Sequence, residues 1–194
     1  MTNKKLTFII ALEYKKGDIM SKDLVWSKTL LTSYRYLERI SEAVDKIVKR
    51  TAMSGAHVTM QNYYYSNVFS ISEKIINLSE RKVTLINLKL LIEDILKSMN
   101  ASDARILIAR HIDGTKRRVL AEKQGVSIRT VFRQIEKAEK AFNKHLLYKG
   151  YDDEKLQNWL ASEKWILGIY DRLAKTDEEE IVLSRCYIEK AASM

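Results

Sequence analysis

The sequence has no proline, only 6 glycines and a single cysteine among its 194 residues. A β-rich protein of this length needs many turns, and turns usually recruit glycine and proline. Their scarcity therefore predicts an all-α protein built from long helices. One cysteine excludes a disulfide framework, and no cysteine–histidine spacing is typical of a zinc site. We therefore expect a reducing, cytoplasmic setting.

The sequence also lacks an apolar run long enough to cross a membrane. The run Leu6–Leu12 is apolar but only seven residues long, and it ends at Glu13. A spanning helix needs about 20 apolar residues, and the run has no small-residue cleavage site of the kind a signal peptide carries. We interpret it as a short strand or a packed helical turn, and we predict no membrane partner.

No catalytic arrangement is found in the sequence. The three histidines, His57, His111 and His145, are far apart and have no metal-ligand spacing around them, and there is no glycine-rich phosphate loop. The acidic run 177–180 is better explained as a helix N-terminus, where carboxylates are favourable, or as a surface for a partner, than as a metal site. The sequence predicts a protein that is not an enzyme and that needs no cofactor and no metal.

Positive charge is concentrated in one part of the chain. Residues 1–100 carry 16 basic and 10 acidic side chains, a net charge of +6, and residues 101–150 carry 12 and 5, a net of +7. Residues 151–194 carry 6 and 10, a net of −4. Charge that served only solubility would be spread evenly, whereas a module that binds a polyanion collects basic residues in this way.

Hydrophobic spacing predicts two long helices before the basic segment. Apolar residues recur at three- and four-residue steps over 22–53, and a heptad-like stripe runs through 66–98. The stripe consists of Ile71, Leu78, Leu85, Ile92 and Met99. We expect an antiparallel, coiled-coil-like hairpin that closes on itself or offers its seam to a partner.

Four segments follow from this spacing and from the charge. They are an N-terminal segment (1–21), the long helical hairpin (22–100), a helix-turn-helix unit (101–150) and an acidic helical tail (151–194).

The stretch GVSIRTVFRQIEKA, residues 125–138, has the spacing of a helix-turn-helix. Ala121 supplies the small residue at which two helices can cross, and Gly125, four residues later, tolerates positive φ in the turn. Val126 plugs the core from the turn, and Ser127 is a suitable N-cap for a helix whose first amides could meet a phosphate.

The helix that follows has two different faces. Val131, Ile135 and Ala138 recur at steps of four and three and predict an apolar inner face. The outer face is left with basic and polar side chains, of which Arg129 and Arg133 project from the same side near the end that enters a major groove. Residues 116–118, at the start of the preceding helix, lie where contacts to the DNA backbone are normally made.

Residues 107–142, LIARHIDGTKRRVLAEKQGVSIRTVFRQIEKAEKAF, resemble region 4 of bacterial sigma-70 factors. With the helical hairpin, the resemblance extends to about 34–147 and is closest to the small regulators of phages and prophages, which include regulators of late genes. Three positions depart from the family pattern: Gln124 and Arg117 stand where apolar residues are usual, and Phe132 stands where a polar residue is usual.

The resemblance implies binding to promoter double-stranded DNA, beside RNA polymerase or without it, and dimerisation is expected of such regulators. We predict a sequence-specific transcriptional regulator; the alternative is a module that docks on RNA polymerase or another regulator through the hairpin and tail. The predicted DNA-binding residues are Lys116, Arg117, Arg118, Ser127, Arg129, Thr130, Phe132, Arg133 and Lys137.

The acidic tail allows two further interpretations. It could fold over the recognition helix and mimic DNA, or join two chains. Alternatively, Trp159 and Trp165 could simply pack into the common core.

Overall fold

The computed structural model describes the backbone of residues 3–56 and 64–176, with side chains described for 24–53 and 68–176. Within these ranges the chain is helical and holds no strand, which confirms the all-α prediction. The helices are α1 (Asn3–Ala56), α2 (Tyr64–Ser98), α3 (Ala101–Leu107), which a π-helical turn (Ile108–Ile112) continues, α4 (Arg117–Gln124), α5 (Ile128–Tyr148), α6 (Asp153–Trp159) and α7 (164–176).

The first helix is longer than the periodicity predicts. The apolar spacing predicts a helix over 22–53, whereas α1 begins at Asn3 and ends at Ala56. Residues 6–12 therefore belong to a helix and not to a strand. No proline interrupts the chain, and a helix that has already formed can extend through polar residues such as those at 13–18.

Helices α1 and α2 run antiparallel. Tyr34 of α1 donates from its hydroxyl to Glu93 Oε1 of α2 at 2.8 Å. Further along α1, Asp45 accepts from Lys82 Nζ at 2.7 Å. Higher residue numbers on α1 thus pair with lower residue numbers on α2, as they do when two helices are antiparallel. The connection at 57–63 lies outside the described residues.

The predicted heptad stripe of α2 supplies the inner row of this pair. Leu85, Ile92 and Met99 are buried, while Ile71 and Leu78, nearer the far end of the pair, are half-buried. The buried apolar residues that accompany them are Leu88, Ile95 and Leu96 of α2 and Leu30, Leu31, Leu37 and Val44 of α1.

A single hydrophobic cluster includes residues from all seven helices. Phe142 of α5 is completely buried within it, as are Leu107 of α3, Leu156 of α6 and Ile166 of α7. Residues from the two long helices, from the basic segment and from the start of the tail therefore share one core. Because α5 packs against α1, α2, α3 and α4, its orientation is set from several sides.

The described part of the tail packs on the two long helices. The ring of Tyr170 lies 4.6 Å from that of Trp26 on α1. Glu163 is completely buried and accepts two hydrogen bonds from Arg81 of α2, at 2.7 and 3.0 Å, and a third from Trp165 Nε1 at 2.8 Å. These bonds satisfy a carboxylate that would be costly to bury alone.

Candidate nucleic-acid interface

A tight turn joins α4 to α5. Gly125 has φ +64°, in the left-handed region, and its N–H donates to the carbonyls at the end of α4. The N–H of Val126 then donates to Ala121 O at 3.1 Å, and Val126 itself is half-buried against the core. This is a glycine-terminated helix end with an apolar residue after it. The turn forms where the sequence predicts it.

Ser127 caps α5. Its side chain accepts from Thr130 N at 3.1 Å, and its hydroxyl lies 2.9 Å from Thr130 Oγ1. The first amides of any helix have no intrahelical acceptor. The cap satisfies the amide of Thr130, and the first turn of α5 carries the positive end of the helix dipole, which suits a phosphate.

The two faces of α5 differ as the spacing predicts. Val131, Ile135 and Ala138 are buried, and so are Phe142 and Leu146 further along the helix. All nine residues predicted to bind DNA have exposed side chains: Lys116, Arg117, Arg118, Ser127, Arg129, Thr130, Phe132, Arg133 and Lys137.

Helix α4 brings its first residues against the exposed face of α5. The guanidinium of Arg117 lies 4.5 Å from the centroid of the Phe132 ring, a cation–π contact. Two of the three residues that depart from the family pattern, Arg117 and Phe132, therefore pack on each other. Phe132 keeps 44% of its surface exposed, so it can still touch a ligand. Arg118 instead turns along α4 and donates to Glu122 at 3.1 Å.

Two arginines that the sequence analysis did not select lie beside this surface. The guanidinium of Arg35, on α1, lies 3.3 Å from where a β-carbon on Gly114 would stand, in the turn just before Lys116. Arg110, on the π-helical turn, donates to Thr115 O at 3.4 Å. Burial, and then the positive charge of Arg117, lower the pKa of Arg110. Arg110 is a neighbour in sequence, whereas only the packing of α1 on this turn brings Arg35 beside the basic residues.

The acidic residues of α5 do not cancel its positive face. Glu139 is buried and lies 2.8 Å from His111 Nε2, a contact that ties the π-helical turn to α5. Glu136 is paired one turn further on with Lys140 Nζ at 2.6 Å. Both carboxylates are therefore occupied by neighbouring side chains, and the exposed arginines of the first turns remain without an acidic partner on the same helix.

The described part of the tail does not cover this surface. Residues 153–176 pack on α1 and α2, and Trp159 and Trp165 are half-buried against the common core. This is the packing that the second interpretation of the tail expects. The acidic run 177–180 lies outside the described residues. The hypothesis that the tail mimics DNA therefore stays a prediction for this segment.

The part of the chain with described side chains holds no cluster of three His, Cys, Asp or Glu residues able to share a metal ion. None of the helices described is both long and apolar enough to cross a bilayer. Comparison with protein-family models, with curated proteins and with solved structures finds no match to this chain. The resemblance to sigma-70 region 4 therefore rests on the amino-acid sequence alone and stays a prediction.

Proposed function

We propose that this chain is a sequence-specific, double-stranded-DNA-binding transcriptional regulator that reads promoter DNA with α5. The observation that carries the proposal is the pairing of a buried apolar face on α5 with an exposed face that bears Arg129, Arg133 and Lys137. The glycine turn and serine cap before it present the first turn of the helix outward. The phage or prophage type of regulator is taken from the resemblance of residues 107–142.

The diameter of α5 suits a major groove. An α-helix with its side chains is about 10–12 Å across, and the major groove of B-DNA is about 12 Å wide. Arg129 and Arg133 are one turn apart and would meet successive base edges, where arginine pairs best with guanine. The exposed part of Phe132 would contact a thymine methyl group.

Residues around the recognition helix would hold the phosphates. Lys116 and Arg118, at the start of α4, and Ser127, at the start of α5, flank the arginine pair on its N-terminal side. Such contacts position a protein on DNA without reading sequence. Each neutralised phosphate releases counterions, so binding through this surface falls as the salt concentration rises.

We would titrate the full-length protein against random duplex DNA at several salt concentrations, and compare it with the double variant Arg129→Ala/Arg133→Ala. The wild type is expected to bind with a steep salt dependence, and the variant is expected to bind at least about tenfold more weakly with a shallower slope. Selection of a preferred site from a random library would then follow, because loss of base contacts removes sequence preference as well as affinity.

The matched control is Arg39→Ala/Arg50→Ala, which removes the same charge from exposed positions on α1. It is expected to bind DNA like the wild type. Equal weakening by both variants would show that only overall charge matters and would contradict a recognition role for α5. Absence of DNA binding by the wild type would favour the alternative function, docking on RNA polymerase or another regulator.

A further inference from the structure

Helix α2 carries a second apolar row that the described residues leave uncovered. Phe69, Ile76, Val83 and Leu90 recur every seven residues and are 74%, 57%, 55% and 56% exposed. Ile86, 41% exposed, lies between the last two. We call these five residues the outer row. It extends over about 32 Å of helix.

The outer row lies on the side of α2 that faces away from α1. The inner-row residues Leu78, Leu85 and Ile92, of which the last two are buried, stand two positions after Ile76, Val83 and Leu90, which is a rotation of about 200° around the helix axis. Helix α2 therefore has two apolar faces. The inner row packs against α1, and the described residues cover no more than this one face.

The spacing of the outer row indicates a helix as its partner. Apolar residues scattered over a surface need no explanation, but a row that returns every seven residues follows the 3.5-residue period of a left-handed coiled coil. That period keeps one seam in contact with a second helix over several turns. An exposed row of this length on a helix that already uses its other face is typical of an interaction surface.

We propose that the outer row is the interface between two copies of this chain, with the two α2 helices parallel. A two-fold interface uses the same patch on both partners, so the patch must complement itself. A seam with acidic residues on one side and basic residues on the other is complementary to itself in only one of the two orientations, parallel or antiparallel.

The charges beside the outer row select the parallel orientation. Glu73 and Glu80 flank it on one side, and Lys82 and Lys89 flank it on the other. In a parallel pair the acidic side of one helix faces the basic side of its partner, whereas in an antiparallel pair each side faces its own kind. The two lysines also bind carboxylates of α1 and keep 34% and 33% of their surface exposed, within reach of a second helix.

The intervening positions of the seam set the strength of association. Ser72 and Ser79 fall three residues after Phe69 and Ile76, where a strong coiled coil would have leucine. Serine adds little apolar area, so the two chains associate reversibly and the dimer fraction rises with protein concentration.

A parallel pair also places both basic surfaces at one end of the dimer. The C-terminal end of α2 leads through α3 to α4 and α5, so two parallel copies present two recognition helices side by side. Under the proposed function, on which this consequence rests, the dimer would contact two half-sites of one operator.

The association itself is tested without DNA by sedimentation equilibrium of the full-length protein over a range of concentrations. The wild type is expected to approach twice the mass of one chain. The variant Ile76→Glu/Val83→Glu is expected to raise the dimer dissociation constant at least about tenfold, because it places four carboxylates in the seam. Circular dichroism checks that its helix content is unchanged.

The matched control is Ile47→Glu/Met53→Glu, which changes two exposed apolar residues of α1, 42% and 67% exposed, and is expected to keep the dimer. A wild type that stays monomeric at every concentration would overturn the proposal, and so would equal loss of the dimer in both variants. Because no DNA is present, neither outcome depends on whether α5 binds DNA.

The orientation is tested by disulfide cross-linking of Ser72→Cys in a background in which the one native cysteine is removed by Cys186→Ser. Ser72 lies near one end of the outer row, so it meets its own counterpart only in a parallel pair. Rapid cross-linking on mild oxidation supports the parallel arrangement. A dimer that forms but does not cross-link would overturn it.

Discussion

Arg117 and Phe132 show how two side chains that each depart from a sequence pattern can form one contact. Considered separately, each weakens the resemblance to sigma-70 region 4, because a charge replaces an apolar residue and an aromatic ring replaces a polar one. In the structure the guanidinium covers the ring at 4.5 Å. The pair joins the beginning of α4 to the outer face of α5.

Gly125 is the residue in the turn whose backbone a side chain would strain. It has φ +64°, and nothing lies within 4 Å of a β-carbon built on it. Gly125→Ala therefore meets no steric clash, and its cost is the left-handed conformation alone, about 1 kcal/mol of unfolding free energy. Chemical denaturation of the two proteins measures this difference.

Gly168→Ala is the control for this substitution. Gly168 lies within α7, has no positive φ and also has open space around its β-carbon position. Alanine there is expected to stabilise the protein by about 0.5–1 kcal/mol, since glycine is the weaker helix former. If Gly168→Ala lowered the unfolding free energy as much as Gly125→Ala does, the positive φ of Gly125 would not explain the effect of Gly125→Ala.

At the scale of elements, the protonated hydroxyl of Tyr34 adds one hydrogen bond to the pairing of α1 with α2. Burial raises the pKa of the Tyr34 hydroxyl to about 12 from 10.0, and the hydrogen bond to Glu93 and the negative charges of Glu93 and Glu38 act in the same direction. The folded protein thus favours the neutral phenol. The stability that Tyr34 contributes is full below pH 10 and is lost as the pH rises from 10 to about 12.

Tyr34→Phe is expected to test this pH dependence. Below pH 10 the variant should be less stable by about 1 kcal/mol, because Glu93 loses a hydrogen bond. The difference in unfolding free energy between the two proteins should shrink toward pH 12, where the wild type loses its advantage. Tyr148→Phe, at a side chain that is 90% exposed, is the control and should follow the wild type at every pH. A Tyr34→Phe difference that stays constant would contradict the assignment.

The two apolar rows of α2 differ in what the sequence reveals about them. The inner row is the stripe that the heptad spacing predicts. The outer row has the same period as the inner row. Its exposure can be recognised only in the structure, where the inner row packs against α1 and the outer row does not. From the sequence pattern alone, a helix with two apolar rows is predicted to be buried on both sides. Only the positions of the neighbouring helices show which row is exposed.

At the scale of the whole molecule, the single core predicts a single unfolding transition. Buried residues from α1 to α7 form one cluster, and a shared core of this kind makes small proteins unfold as one unit. Denaturation followed by tryptophan fluorescence, which reports on Trp26, Trp159 and Trp165, should coincide at one protein concentration with denaturation followed by far-ultraviolet circular dichroism. Two separated transitions would instead support independent units at 22–100 and 101–150.

The local parts of the candidate site could be predicted because they depend on neighbours in sequence. The positive φ of Gly125, the cap by Ser127 and the alternation of buried and exposed residues along α5 all follow from backbone sterics and helix periodicity. The true start of α1 could not be predicted in this way, because helix boundaries in a chain without proline are weakly marked.

The sequence by itself determined that the described part of this protein is all-α, where the basic residues concentrate and how α4 turns into α5, because turn chemistry and periodicity act between residues a few positions apart. Only the tertiary structure decided that Arg35 of α1 lies against the turn before Lys116, that Glu163 is buried against Arg81, and that the described residues leave one row of α2 open. Those outcomes depend on how distant helices share one core, which no local pattern specifies.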